Sequence, residues 1–432
     1  MKKRFIFILC GLFLCAGTIA ATDYNVLQLG VVGDGKTLNT QSLQSAIDAL
    51  HAKGGGQLYF PAGRYLTGSL QLKSNVTLYL EKEAMLLGST SPYDYPGFST
   101  EKELKVNNDH FDQALIYAEE AENIGITGEG CIDGQGRELA LTIDSLHHTG
   151  ELVDKHYNTY RKRPNTRPKL LFMRNCRKVE LRKTNFRSGA AWGLSFSLCV
   201  DLTIDSLHVG NRAYWNNDGI DISDCKDVRI SNCFINSADD GICLKSHNRG
   251  AWNDRVSISN CHIISSASAI KFGTESLGGF KNVTIDNIRI KDTFRSAIAI
   301  ESVDGAEIEN VKLENIEIVC PGRATRGMAY MSVSRLKDVP ENEKGYPEFT
   351  MFEELPSWGF YVRHVKGIQM HNVKLRLQED DFRPAFVFDR VSDVRLSDIS
   401  LPENKKAGQV VLRQTNLQSA DDAVKEYITE VE

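Results

Sequence analysis

The chain has 432 residues, 41% hydrophobic and 25% charged, with a formal net charge of −5 and a pI near 6.1. That is enough apolar content for a large core or for an elongated repeat. The balance is mildly acidic, with no basic block and no basic–aromatic stripe, which argues against a nucleic-acid partner.

In chain order, Lys2-Lys3-Arg4, the apolar run from Phe5 to Ala16 and the small residues Ala20 and Ala21 read as a secretory leader over residues 1–21. The run is too short to span a bilayer as a helix, so the protein is expected to be exported, to the periplasm or beyond, after leader cleavage. A lipoprotein signal at Cys15 is the weaker reading, because Phe13-Leu14 precede it where small residues belong.

Past the leader, Gly33-Asp34-Gly35 marks a tight turn, and Thr40–Leu50 carries apolar residues at helical spacing with Thr40 as N-cap. Gly54-Gly55-Gly56 ends that helix, and Gln57–Gly63 reads as a short strand and turn. A lone helix followed by strands suits a cap that hides the open edge of a stacked sheet.

A repeat follows. Val179, Leu202, Val228, Val256, Val283, Val311, Ile368 and Val394 lead short alternating strand cores, so the step is 23 to 28 residues, except for the 57 between Val311 and Ile368. Four residues into successive units, from the second on, come Ser206, Asn232, Asn260, Asn287, Asn315, Asn372 and Asp398. These types tolerate the left-handed backbone of a stacked turn. Short strands at this period predict a solenoid, and the missing Leu-x-x-Leu-x-Leu spacing leaves a single-stranded right-handed parallel β-helix, an all-β fold.

Residues 137–168 and 320–358 interrupt the pattern with polar and proline-rich sequence and read as long loops, either walls of a groove or disordered surface insertions. No linker divides the chain, so residues 22–432 are expected to form one domain and to act as a monomer. Of the ten cysteines, Cys10 and Cys15 fall in the leader. Cys176, Cys199 and Cys225 each precede an apolar strand residue by three positions, and Cys233 and Cys261 each follow Asn, as expected of buried, inert thiols. No Cys-x-x-Cys or His-x-x-x-His spacing marks a zinc site, and no metal or cofactor is expected.

The chemistry concentrates in Asn216-Asn217-Asp218-Gly219-Ile220-Asp221 and Ala238-Asp239-Asp240-Gly241. Asp218 and Asp239 are 21 residues apart, close to one coil, so these acids stack on neighbouring coils. Two or three carboxyls held that way can cleave a glycosidic bond, one protonating the leaving oxygen and another activating water.

On these residues the chain resembles the polygalacturonase family of glycoside hydrolases, family 28. The resemblance runs from Gly33 through Leu72-Lys73-Ser74-Asn75-Val76-Thr77-Leu78 and is sharpest from Trp192 to Glu275, where the family's Asn-x-Asp-Gly-x-Asp matches Asn216–Asp221 and its paired Asp matches Asp239-Asp240. It implies a parallel β-helix of about ten coils and hydrolysis of pectic polysaccharide or oligosaccharide with inversion. By position, Asp239 looks like the general acid, and Asp218 and Asp240 like the pair that holds and deprotonates water. Asn216, Asp221, Lys245, His247, Ser268, Lys271, Glu275 and Arg295 are the candidate substrate-binding residues, with Trp215 and Trp252 as sugar-stacking candidates.

The departures are specific. Ser268 stands where the family has the His of Gly-His-Gly, and the uronate-binding Arg-x-Lys is missing from Arg295–Glu301. They point away from plain homogalacturonan, toward exo action, a rhamnogalacturonan backbone or a pectic side chain, with Lys271 as the replacement cation. A non-hydrolytic carbohydrate-binding β-helix and a calcium-dependent polysaccharide lyase are the other two readings.

Overall fold

The computed structural model describes residues 22–95, 113–151, 167–302, 306–322, 333–339, 341, 355–402 and 408–432. The leader lies outside the described residues, as do 152–166 of the first expected loop and most of 320–358.

The strands form a right-handed parallel β-helix. One coil runs Leu194–Ser197, Val200–Asp205, His208–Asn211, and the next resumes at Ile220–Ser223. Between these two coils the register holds without slip: Leu194 sits opposite Ile220, Leu202 opposite Val228, and Val209 opposite Ile235. Among the described residues the first segment of each coil builds a sheet of twelve strands, against an expectation of about ten coils, and the other segments build a bent sheet of nineteen.

The bend comes from the polar turn positions. Ser206, Asn232, Asn260, Asn287, Asn315, Asn372 and Asp398 all take φ between +51° and +56°. Asn pays little for that conformation and bonds its neighbour one coil away. The Asn260 amide donates to Asn232 Oδ1 at 3.2 Å, Asn287 to Asn260 at 2.8 Å and Asn372 to Asn315 at 2.7 Å. Inside, Val228, Ile230, Val256, Ile258, Val283 and Ile285 stack as buried columns. The eight cysteines beyond the leader are free, and all but Cys131 are buried.

The cap spans Thr40–Ala52 and buries Leu43, Ala46, Ile47 and Leu50 over the first strands. Its N-cap is Asn39, not Thr40. Thr40 Oγ1 accepts the Gly68 amide at 2.7 Å, and the Asn39 side chain is engaged with Val32, so contacts from elsewhere in the chain set where this helix begins. Gly55, at φ +118°, closes the junction, where a Cβ would come 2.3 Å from Asn75 O.

The interruption at 137–168 is not all loop: Gly136–His148 is a helix burying Leu139, Ala140 and Ile143. Those apolar residues carry a helical period that the polar composition around them hid. This helix and Arg167 brace the stretch before Asp218. Tyr214 donates to Asp144 Oδ2 at 3.1 Å, and Arg167 donates to Trp215 O at 2.6 Å and to Asn216 Oδ1 at 3.2 Å.

Candidate active site

Strand pairing builds the site row by row. In the twelve-stranded sheet Leu194 pairs with Ile220, Ile220 with Ile242, Ile242 with Ile270 and Ile270 with Ile298. Two residues earlier on each coil the register aligns Trp192, Asp218, Asp240, Ser268 and Ser296 in one column. Backbone bonds support this edge: Gly193 N to Asp218 O at 2.9 Å, Gly219 N to Asp240 O at 2.9 Å and Gly241 N to Ser268 O at 2.8 Å. Asn217, fully buried, donates to Gly189 O and Ala191 O, and its carbonyl accepts Asp239 N at 3.2 Å. The two acidic motifs are thereby held one coil apart.

Cations from the following coils interleave with the acids. Lys245 Nζ lies 3.1 Å from Asp218 Oδ2 and 2.6 Å from Asp221 Oδ1, and 3.7 Å from the centre of the Trp192 ring. Lys271 Nζ lies 3.3 Å from Asp240 Oδ2, and Arg295 Nη1 3.7 Å from Asp239 Oδ1. The side chains of Asp218, Asp240, Lys245 and Lys271 are each at most 6% exposed, whereas Asp239 is 23% exposed and is the carboxyl an entering molecule meets first.

The three acids differ electrostatically. Burial, then the neighbouring Asp240, raises the Asp239 carboxyl above the ordinary aspartate range, against Arg295, Lys271 and Lys245. Burial opposes ionisation of Asp240 too, but Lys271, Arg295 and Lys245 outweigh it and hold that carboxyl below its usual range. Burial dominates at Asp218 and raises it despite Lys245. Asp218 Oδ1 has no hydrogen-bond partner among the described residues, which leaves an acceptor for a water molecule. The cluster thus holds a partly exposed carboxyl, Asp239, and a buried one, Asp218, that are inclined to keep a proton, and a buried one, Asp240, that is inclined to lose it.

The remaining sequence candidates fall into two groups. Asn216, Asp221, Lys245, Ser268, Lys271 and Arg295 gather around the acids, but mostly touch protein. Ser268 is fully buried and its amide donates to Asp240 Oδ1 at 3.1 Å; Lys271 is 5% exposed. His247 and Glu275 form a neighbouring cluster, with His247 Nδ1 bonded to Glu275 and Nε2 3.2 Å from Ser223 Oγ. Trp215 is 61% exposed, while Trp252 packs over Lys281 beside Gly279. Trp192, against Lys245, and Asn217, which braces the two motifs, join the cluster without having been singled out in the sequence. Trp192-Gly193-Leu194 repeats the pattern of Asp218-Gly219-Ile220 and Asp240-Gly241-Ile242, a signal that could have found it. Among the described residues no group of three or more acids, histidines or cysteines is arranged to hold a metal ion, and lysines stand between the carboxyls where a cation would sit.

The family model for glycosyl hydrolases family 28 matches residues 56–320, a span that contains the whole column. The chain belongs to glycosyl hydrolases family 28. A probable polygalacturonase of Vitis vinifera is 30% identical over 311 residues, covering 67% of this chain and 57% of its own. An exo-poly-alpha-D-galacturonosidase of Dickeya chrysanthemi is 27% identical over 248 residues, covering 50% and 41%. The chain therefore spans about half the length of the curated relatives it matches. The family 28 exopolygalacturonase of Yersinia enterocolitica superposes with a TM-score of 0.60 at 19% identity, over 95% of this chain and 77% of that one, a likeness of fold. Where the family resemblance calls for Arg-x-Lys, alternation turns Ile298 and Ile300 into the main core and Ala299 and Glu301 to the other face of the strand, where both are also buried.

Proposed function

We propose that this protein is an inverting glycoside hydrolase of pectic saccharides, with residues 22–432 forming one exported domain after loss of the leader. Asp239 is the general acid, and Asp218 and Asp240 hold and deprotonate the attacking water. The observation that carries this reading is the electrostatic split between two adjacent carboxyls. Burial and Asp240 raise the partly exposed Asp239, whereas Lys271 and Arg295 outweigh burial and lower Asp240. In the first half of the step Asp239 protonates the glycosidic oxygen as the bond to the anomeric carbon breaks. A water on the opposite face attacks that carbon and gives its proton to the Asp218–Asp240 pair.

The substrate is argued from what the groove lacks. Lys245 and Lys271 are engaged by buried carboxylates, so neither is available as a substitute clamp for a uronate. Ala299 and Glu301 offer no cation at the clamp position. Plain homogalacturonan is accordingly a poor substrate, and a rhamnogalacturonan or a pectic side chain fits better. The name of the Dickeya relative favours exo over endo action.

The test is incubation with a panel of pectic polysaccharides and oligosaccharides, with products resolved by size and the first-formed anomer read by NMR. Release of a saturated product of inverted configuration is expected. An unsaturated, ultraviolet-absorbing product would establish a lyase, and binding without turnover on any member would establish a binding protein.

A further inference from the structure

Glu301 is a buried ionisable group that the mechanism leaves unused. It ends the strand Ile298–Glu301, two coils beyond Asp240, and is 1% exposed. Neither carboxyl oxygen has a hydrogen-bond partner among the described residues. The residue directly opposite, Arg363, turns instead to Asp389 and Glu341. Gly273 makes the room: a Cβ there would stand 2.9 Å from Glu301 O and 3.8 Å from its Cγ. A carboxyl buried without a bond is costly, and such groups in native folds call for an explanation.

The cations of the acid cluster are already engaged: Lys245 by Asp218 and Asp221, Lys271 by Asp240, and Arg295 by Asp239. Lys271 connects the Glu301 carboxyl to the acids. Burial opposes its charge, yet Asp240 and then Glu301 hold the ammonium well above the ordinary lysine range.

We propose that Glu301 is a positioning residue of the hydrolytic reaction, acting through Lys271 on Asp240, and that it acts in its neutral form. Protonated, it leaves the Lys271 charge to Asp240, which stays ionised and ready to take a proton from water. Ionised, it competes for Lys271, adds a negative charge to a dry cluster and raises the proton affinity of Asp240. The groups facing it are Lys271 from the preceding coil, Asp240 and Arg295 from the groove edge, and Tyr361 and Arg363 from the next strand, with Asp389 behind Arg363. Burial pushes its carboxyl up to about 7, against Lys271, so the change falls near neutral pH.

This rests on the hydrolase reading, and the test separates the two. For wild type and Glu301→Gln, kcat and KM are measured at about pH 6 and pH 8 on a pectic oligosaccharide that the wild type cleaves. The ratio of kcat at the higher pH to that at the lower should be at least threefold larger in the variant, with the gain absent from KM. An unchanged ratio, or a gain carried by KM, overturns the inference while cleavage by wild type upholds the hydrolase; no cleavage of any pectic saccharide overturns both. Infrared difference spectra of wild type against Glu301→Gln read the same proton without turnover. A protonated carboxyl lost between the two pH values is expected, and one already ionised at pH 6 overturns the proposal.

Discussion

On the bent sheet, residue stacks on like residue. Asn232, Asn260 and Asn287 form one hydrogen-bonded column, and Val228, Val256, Val283 and Val311 form another beneath it. On the twelve-stranded sheet, the column through Trp192, Asp218, Asp240, Ser268 and Ser296 passes from an aromatic ring to two acids to two hydroxyls. A like-on-like column satisfies itself, because each rung offers the donor or the apolar face that the next one needs. A mixed column cannot, so its charges draw partners from other rows: Lys245 for Asp218 and Asp221, Lys271 for Asp240. The same solenoid thus supplies a repetitive scaffold on one side and an irregular, partner-dependent site on the other.

The largest way to break that contrast is at the acid itself. Asp239→Asn keeps the size of a partly exposed side chain, so the unfolding midpoint should stay put while kcat falls ~10²–10⁴-fold. Urea unfolding and steady-state kinetics on the preferred saccharide check both halves, and undiminished kcat would remove Asp239 from the mechanism.

Next in size is Lys271→Ala, which leaves Asp240 buried and unpaired. Breaking such a pair typically costs about 3–5 kcal/mol, so urea unfolding should register a large loss together with a loss of kcat. If stability is unchanged, the pair is not what holds Asp240.

Glu301→Gln probes stability against pH. The folded carboxyl titrates near 7, above its ordinary 4.5, so between those values the unfolded chain releases its proton first and stability falls as pH rises. Gln lacks that dependence. The variant should gain about 1–3 kcal/mol on wild type between roughly pH 5 and pH 8, and parallel stability curves would contradict it.

The smallest effect belongs to the scaffold. Asn260→Ala loses two ladder bonds and a residue suited to φ +53°, for about 1–2 kcal/mol. Asn260→Gly keeps the backbone freedom and should cost less. Equal losses from the two would mean that the bonds, not the conformation, set the turn.

What the sequence by itself determined is the part that repeats. Period, alternation and the Asn turn positions all reappear in the coils, because a solenoid contact lies one repeat away and is written as the same residue type at the same phase. The two acidic motifs were legible for the same reason: their spacing is one coil. The helix Gly136–His148 went unread because its few apolar residues are diluted by polar neighbours, although its period was present. What only the tertiary structure decided is which charges neutralise which. The sequence brings Lys245 and Lys271 to the coils of the acids, and packing sets which carboxyls they meet: Asp218 and Asp221 for one, Asp240 for the other. Glu301 was visible only as the absence of a lysine, and its unpaired burial depends on Arg363 being claimed by Asp389 and Glu341. Pairing among buried charges depends on distances between side chains from different rows, and no repeat period encodes those distances.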